Sequence, residues 1–233
     1  MNLDTILNRL RDLSDPEAVL RKEKKFGVVA NNAWGVYQKD LRELARQIPK
    51  DNQLAIDLFD TDIYEARVLC SKVFRPKDLT EELMEKWVVT FENWEICDSF
   101  SMALFARSPL AIPKALEWVN REPEFEKRAG FAIMAAYTMA DKKADNEIFI
   151  TFLNEIEKAV EDNRPYVKKA VNWALRNIGK RNQDLNALAI QRAHRILLVD
   201  HPAARWIAND AIKELEKEGV RMSDYPRAIY RPA

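Results

Sequence analysis

The sequence predicts an all-α protein assembled from helix pairs stacked in series. Three observations lead there. Glycine is scarce, at five in 233 residues. Apolar residues recur at three- and four-residue steps almost throughout, which is the period of one helix face. No segment alternates with period two for long enough to make a strand.

The elements follow in order. A first helix is expected over 3–13. Ser14-Asp15-Pro16-Glu17 then opens a second, 16–25, with a capping-box pair and a proline in its first turn. Pro49 stops a third helix, 37–48, and Pro76 follows helices over 52–60 and 62–74. Further helices are expected over 79–91, 94–106, 109–121, 124–140, 145–161, 165–180, 184–198 and 203–218. No Gly/Ser/Pro linker interrupts the chain, so residues 1–218 read as one domain and 219–233 as a C-terminal tail.

Second members of the pairs resemble one another. Ile63 to Arg67, Trp94 to Asp98, Phe125 to Ala129, Tyr166 to Ala170 and Ala203 to Ile207 are spaced by roughly 30–40 residues, the range of HEAT-type repeats. The expected architecture is therefore a HEAT-like helical-repeat solenoid, an α-α superhelix in which each pair buries its apolar stripe against its neighbours.

Composition narrows the chemistry. The chain carries 37 basic and 37 acidic residues, so net charge gives no argument for a nucleic-acid partner, and local charge must be read instead. An apolar fraction of 47% with six tryptophans excludes intrinsic disorder. No apolar run approaches the ~20 residues of a membrane span and no signal-peptide pattern opens the chain. Cys70 and Cys97 cannot form a disulfide framework, and a cytoplasmic location is expected. The five glycines spell neither G-x-G-x-x-G nor a Walker A loop. The only histidines, His194 and His201, have no metal-ligand or nucleophile-elbow context. Neither a metal nor a cofactor is expected.

Two helices carry polar chemistry on the side away from the core. Asn163 to Gln183 holds Arg164, Lys168, Lys169, Arg176, Lys180 and Arg181 and no acid. On a helical wheel Val167, Val171, Ala174, Leu175 and Ile178 form the core stripe, and Trp173 lies opposite with Tyr166, Lys169, Asn177 and Lys180. Trp173 is either covered by the next repeat or stacks on a negatively charged ligand, a description a polynucleotide fits. In the second helix Trp94 and Asp98 are neighbours at i and i+4, opposite Ile96, Phe100, Ala103 and Leu104, with Ser101 on their own side. Cys97 reads as a small buried hydrophobe. Arg128 opens another second-member helix, where a structural ion pair is its default role.

These stretches carry a resemblance. Phe91-Glu92-Asn93-Trp94-Glu95-Ile96-Cys97-Asp98, Lys127 to Ala132, Val167 to Arg176 and Ala204 to Ala208 resemble the AlkD-like DNA alkylation repair proteins, which are HEAT-like DNA glycosylases. The likeness runs from about Phe26 to Glu216. It implies that Asp98 is the catalytic carboxylate, that Trp94 and Trp173 face the lesion, and that Arg128 faces DNA. It leaves Phe26 and Trp34 as candidates for an N-terminal aromatic contact that some members use. Lys168, Lys169, Arg176, Lys180 and Arg181 are then expected on phosphates. The implied partner is double-stranded DNA containing alkylated bases, bound by a monomer, with no membrane.

The implied chemistry suits so thin a set of residues. Alkylation at N7 or N3 makes the purine cationic, so it departs neutral and needs no general acid. Charge develops on the deoxyribose, and one carboxylate can stabilise that oxocarbenium ion and orient water. A carboxylate ~4 Å away at an effective dielectric of ~20 contributes about 4 kcal/mol, roughly a thousandfold in rate. The family is understood to leave the lesion stacked rather than flipped into a pocket. The competing readings are a non-catalytic HEAT-repeat binder of DNA structures and a protein scaffold. The first would keep Lys168, Lys169 and Lys180 without needing Asp98; the second needs none of them.

Overall fold

The computed structural model describes residues 1–217, and the expected tail 219–233 lies outside them. The chain divides into two compact units, 1–110 and 111 onward. The first holds α1 (Leu3–Asp12), α2 (Pro16–Phe26), α3 (Gln38–Gln47), α4 (Asn52–Asp60), α5 (Tyr64–Val73), α6 (Glu81–Val88) and α7 (Trp94–Ala103). The second holds α8 (Ala111–Trp118), α9 (Glu124–Ala140), α10 (Asn146–Lys158), α11 (Pro165–Gly179), α12 (Gln183–Leu197) and α13 (Pro202–Leu215). No strand occurs among the described residues, and every expected helix is present.

Local chemistry sets the boundaries. Proline occupies the first turn of α2, as expected, but the cap is Asp15, whose carboxylate accepts from the amides of Glu17 and Ala18. α5 gives way before Pro76 to a single 3-10 turn, Pro76–Asp78. The expected helix 94–106 stops at Ala103 because Leu104 leaves helical geometry at φ −127°, ψ −64°, and a 3-10 turn follows over Phe105–Arg107.

In the first unit α4 packs on α5, and α5 on α7. Its centre is aromatic: Trp87 lies 5.4–5.5 Å from Phe59, Phe74 and Phe100, and Phe91 and Phe105 extend the cluster. The segment between α2 and α3 is held from below by Glu65. Its fully buried carboxylate accepts from the amides of Trp34 (2.9 Å), Gly35 (2.7 Å) and Val36 (3.2 Å). Gly35 has φ +84°, and a Cβ there would meet the Asp15 carbonyl oxygen at 2.0 Å, so only glycine lets the segment pass.

In the second unit α9 is the central element. From Arg128 to Thr138 every residue is buried, between α8 and α11. Gly130 permits the approach of α8, since a Cβ would sit 2.7 Å from the Val119 nitrogen and 3.0 Å from the Ala115 oxygen. α11 also packs on α13 and α12, and α12 on α13.

Candidate nucleic-acid interface and catalytic carboxylate

The first unit positions Trp94 and Asp98 through the start of α7. Asn93 caps the helix, its Oδ1 accepting from the amides of Glu95 and Ile96. Its own amide nitrogen donates to the Val29 carbonyl at 2.9 Å. Glu95 is buried and accepts from Lys22 of α2 at 3.1 Å and from the Tyr64 hydroxyl of α5 at 2.9 Å. Burial, followed by the charge of Glu95, pushes the Tyr64 phenol far above its ordinary pKa, so it remains a donor. The indole nitrogen of Trp94 donates to the Phe26 carbonyl at 2.9 Å. Hydrogen bonds to Phe26 and Val29 and the Lys22–Glu95 ion pair of low exposure thus fix the first turn of α7 against α2 and its following loop, and the Tyr64 hydroxyl ties it to α5.

That turn leaves Trp94 and Asp98 half-buried while Ile96, Cys97, Phe100 and Leu104 are fully enclosed. The helical wheel placed these residues correctly, with two corrections: Ala103, expected on the core stripe, is half-buried, and Ser101, expected beside Asp98, is fully buried. Two neighbouring carboxylates have structural roles. Glu95 holds Lys22, and Glu92 takes both arms of the buried Arg67 guanidinium, at 2.9 and 3.1 Å. Asp98 is the half-exposed acid of this helix.

The two N-terminal aromatics separate. Phe26 ends α2, is 53% exposed and lies beside Trp94. Trp34 lines a different depression, under the Arg11 guanidinium at 5.5 Å.

The second unit carries Arg128 on α9 and the basic residues on α11. Val167, Val171, Ala174, Leu175 and Ile178 are fully buried, as the wheel requires, and Trp173 is half-buried on the opposite side. Lys169 is exposed, and the Lys168 ammonium sits 5.3 Å from the ring centre of Trp206, itself 40% exposed on α13.

Three expectations require correction. Arg181 is fully buried: its guanidinium donates to the carbonyls of Thr138, Asp141 (3.0 Å) and Ala144 (2.9 Å) and lies 4.2 Å from the Phe149 ring centre. It closes the α9–α10 connection and does not reach solvent. Arg128 is only 6% exposed, with one arm donating to the Tyr166 carbonyl at the start of α11, so it braces α9 against α11 rather than opening toward DNA. Arg176 and Lys180 face acids from α13. Lys180 donates to Glu214 at 2.6 Å, and Arg176 engages Glu214 and, at 3.3 Å, Asp210. Burial pushes the Glu214 carboxyl up, but hydrogen bonds from Lys180 and Arg176 outweigh it and hold the group below its ordinary range. The acid-free run on α11 is therefore partly neutralised by a helix some 35 residues downstream, which leaves Lys168 and Lys169 as the more available cations.

The six tryptophans sort by what covers them. Trp87 and Trp118 are fully buried, and Trp34 and Trp206 lie under cations. Among the described residues Trp94 and Trp173 have neither a ring nor a cation over their faces.

Fold and site together define a HEAT-like helical-repeat protein with a half-exposed carboxylate beside one open indole and a basic surface beside another. The chain belongs to the DNA alkylation repair enzyme family, which it matches over residues 6–215. It is 22% identical to an uncharacterized protein of Listeria innocua over 96% of this chain and 100% of that one. It is 19% identical to an uncharacterized protein of Listeria monocytogenes over 84% of this chain and 87% of that one. A solved structure described as a new family of proteins related to the HEAT-like repeat DNA glycosylases, with affinity for branched DNA structures, superposes with a TM-score of 0.78 at 17% identity, covering 95% of this chain and 97% of the other. That likeness fixes the fold. No helix among the described residues is long and apolar enough to cross a membrane.

Proposed function

We propose that this protein is a DNA glycosylase that hydrolyses the N-glycosidic bond of cationic N3- or N7-alkylated purines in duplex DNA, acting as a monomer in the cytoplasm without flipping the base into a pocket. The observation that carries the reading is the rigidly docked start of α7, which presents Trp94 and Asp98 together while Glu92 and Glu95 serve as structural partners. Such a helix is built to aim one carboxylate. Asp98 stabilises the oxocarbenium ion and orients the attacking water, and the cationic purine leaves neutral. The indole of Trp94 attracts the cationic nucleoside through its face. In the second unit Trp173 offers a stacking face, and Lys168 and Lys169 take phosphates. Arg128 acts as a positioning residue for α11.

The test is excision of N7-methylguanine from duplex DNA. Asp98→Asn keeps shape and removes charge, so excision should fall roughly two to three orders of magnitude, as about 4 kcal/mol of Coulomb stabilisation requires. DNA binding should persist or strengthen, because a carboxylate near phosphates is repulsive. Release of base by purified Asp98→Asn at the parent's rate would remove Asp98 from catalysis. A parent that binds DNA yet releases no base would favour a second reading, a non-catalytic binder of DNA structures. The solved relative with affinity for branched DNA supports that alternative.

A further inference from the structure

The chain is neutral overall, yet one end of the first unit gathers cations without acids. Lys50, in the loop after α3, reaches over the C-terminal end of α5, where its ammonium donates to the carbonyls of Lys72 (2.6 Å) and Phe74 (3.2 Å). Arg75 reaches back, its guanidinium donating to the Lys50 carbonyl. Arg107 stands in the 3-10 turn that packs on the turn after α5, and its Nε donates to the Met102 carbonyl at 3.2 Å. Lys72 is half-buried, while Arg42, Lys50, Arg75 and Arg107 are exposed. None of these five has an ion pair among the described residues. The acids next to them along the chain are engaged elsewhere: Asp51 caps α4 at the Leu54 amide, Asp78 accepts from Asn52, and Glu43 holds Arg46. Burial, followed by the charge of Arg42, holds the Lys72 ammonium below its ordinary pKa; Glu95 pulls the other way but is already paired with Lys22. Burial and then Arg107 lower Lys50 in the same manner. The carbonyl end of α5 supplies only about half a negative charge, far short of what five cations call for.

We infer that this end of the first unit is a phosphate anchor, at which Arg42, Lys50, Lys72, Arg75 and Arg107 bind the backbone of a DNA strand. Arginine forks and lysine ammonium groups are the donors that phosphate oxygens take. Each phosphodiester brings one negative charge, so five cations on an open surface match several successive phosphates better than one small anion. The anchor gathers beyond the C-terminal ends of α5 and α7, whereas Trp94 and Asp98 stand in the first half of α7. It therefore takes phosphates that flank the modified nucleotide, not the nucleotide itself. The inference rests on the reading that this chain binds DNA and is independent of whether it cleaves the glycosidic bond.

The test measures affinity of the full chain for an undamaged duplex across a salt series. Arg42→Gln and Lys72→Gln should each flatten the slope of log affinity against log salt by ~0.9, and together by ~1.8, with affinity lowered severalfold for any sequence. Arg42 has no hydrogen bond or ion pair to lose, so its variant keeps the fold. Lys72→Gln removes one of several crowded like charges, so its melting temperature should hold or rise while affinity falls; a purely structural role would lower the melting temperature and leave the slope alone. Lys72→Arg should restore the slope. A double variant that binds duplex with the parent's slope would overturn the anchor and leave the DNA reading standing. A parent that binds no DNA at any salt concentration would overturn both. Inorganic tripolyphosphate is the second probe. If it raises the melting temperature of the parent but not of the double variant, and the DNA slope is unchanged between them, the cluster serves a free polyphosphate and the DNA anchor is overturned.

Discussion

Arg181 offers the sharpest separation of stability from DNA binding. Sequence pattern alone places it on a phosphate, whereas the fold places it in the interior of the second unit. Consider Arg181→Met, which keeps the aliphatic stem and deletes the guanidinium. Three backbone carbonyls, of Thr138, Asp141 and Ala144, lose a charged donor, and the Phe149 ring loses the cation 4.2 Å from its centre. Hydrogen bonds to a charged group contribute roughly 1.5–3 kcal/mol each, which sets a ceiling of about 5–9 kcal/mol. The variant no longer has to bury a cation, and that offsets part of the loss. A net destabilisation of about 3–5 kcal/mol follows, as for other broken buried charge contacts. At ~2–4 °C per kcal/mol for a chain of this size, the melting temperature should fall by roughly 6–20 °C. Urea titration and calorimetry measure the loss, and a salt series of DNA affinity, taken below the transition, measures function. The salt slope should be unchanged. A melting temperature within about 2 °C of the parent, together with a slope shallower by ~0.9, would show the guanidinium on a phosphate and refute the structural assignment.

Other outcomes follow from the same surfaces. Lys169→Ala should flatten the slope of log affinity against log salt by ~0.9, whereas Lys180→Ala should flatten it less, because Glu214 already holds that ammonium. Glu214→Gln frees Lys180 and leaves Arg176 paired with Asp210 alone, so DNA affinity should rise and the slope steepen; an unchanged slope would place DNA away from α11. The Glu214 carboxyl is held below its ordinary value of 4.5 in the folded chain. Its stabilising contribution is therefore complete above that value and is lost as pH falls through the folded pKa, so acid unfolding should be less steep in Glu214→Gln. Trp173→Ala should weaken discrimination between alkylated and plain duplex by roughly two- to thirtyfold, the range of one cation–π contact. Gly130→Ala should destabilise the second unit by about 1–3 kcal/mol, because the new methyl meets backbone atoms of α8 that cannot step aside.

How far the site is legible in the sequence differs from residue to residue. The wheel of α11 assigns its core stripe correctly, because a buried helix face repeats every 3.6 residues and needs no knowledge of its partner. The same rule exposes Trp94 and Asp98 as neighbours and buries Cys97. It fails at Ser101 because a helix of the first unit is covered on more than one side. Arg181 escapes it for a related reason: an arginine in a basic run looks the same whether its guanidinium meets phosphate or a set of carbonyls. Arg128 reads as structural on the sequence and is expected at DNA only through the resemblance. The docking of α7 by Lys22, Tyr64 and Glu95 leaves no local signal at all, since its members are separated by up to 73 residues.

Sequence by itself determined the helical class, the helix order, most of the core stripes and the likeness to the family, because those depend on local period, on the prolines and on short motifs. Tertiary structure decided which charges are available. It set Glu214 against Lys180, enclosed Arg181 among carbonyls, and gathered Lys50, Lys72 and Arg75 at one end of α5 without an acid. A charge acts through the groups within a few ångströms of it, and in a stack of helices those groups come from segments far away along the chain.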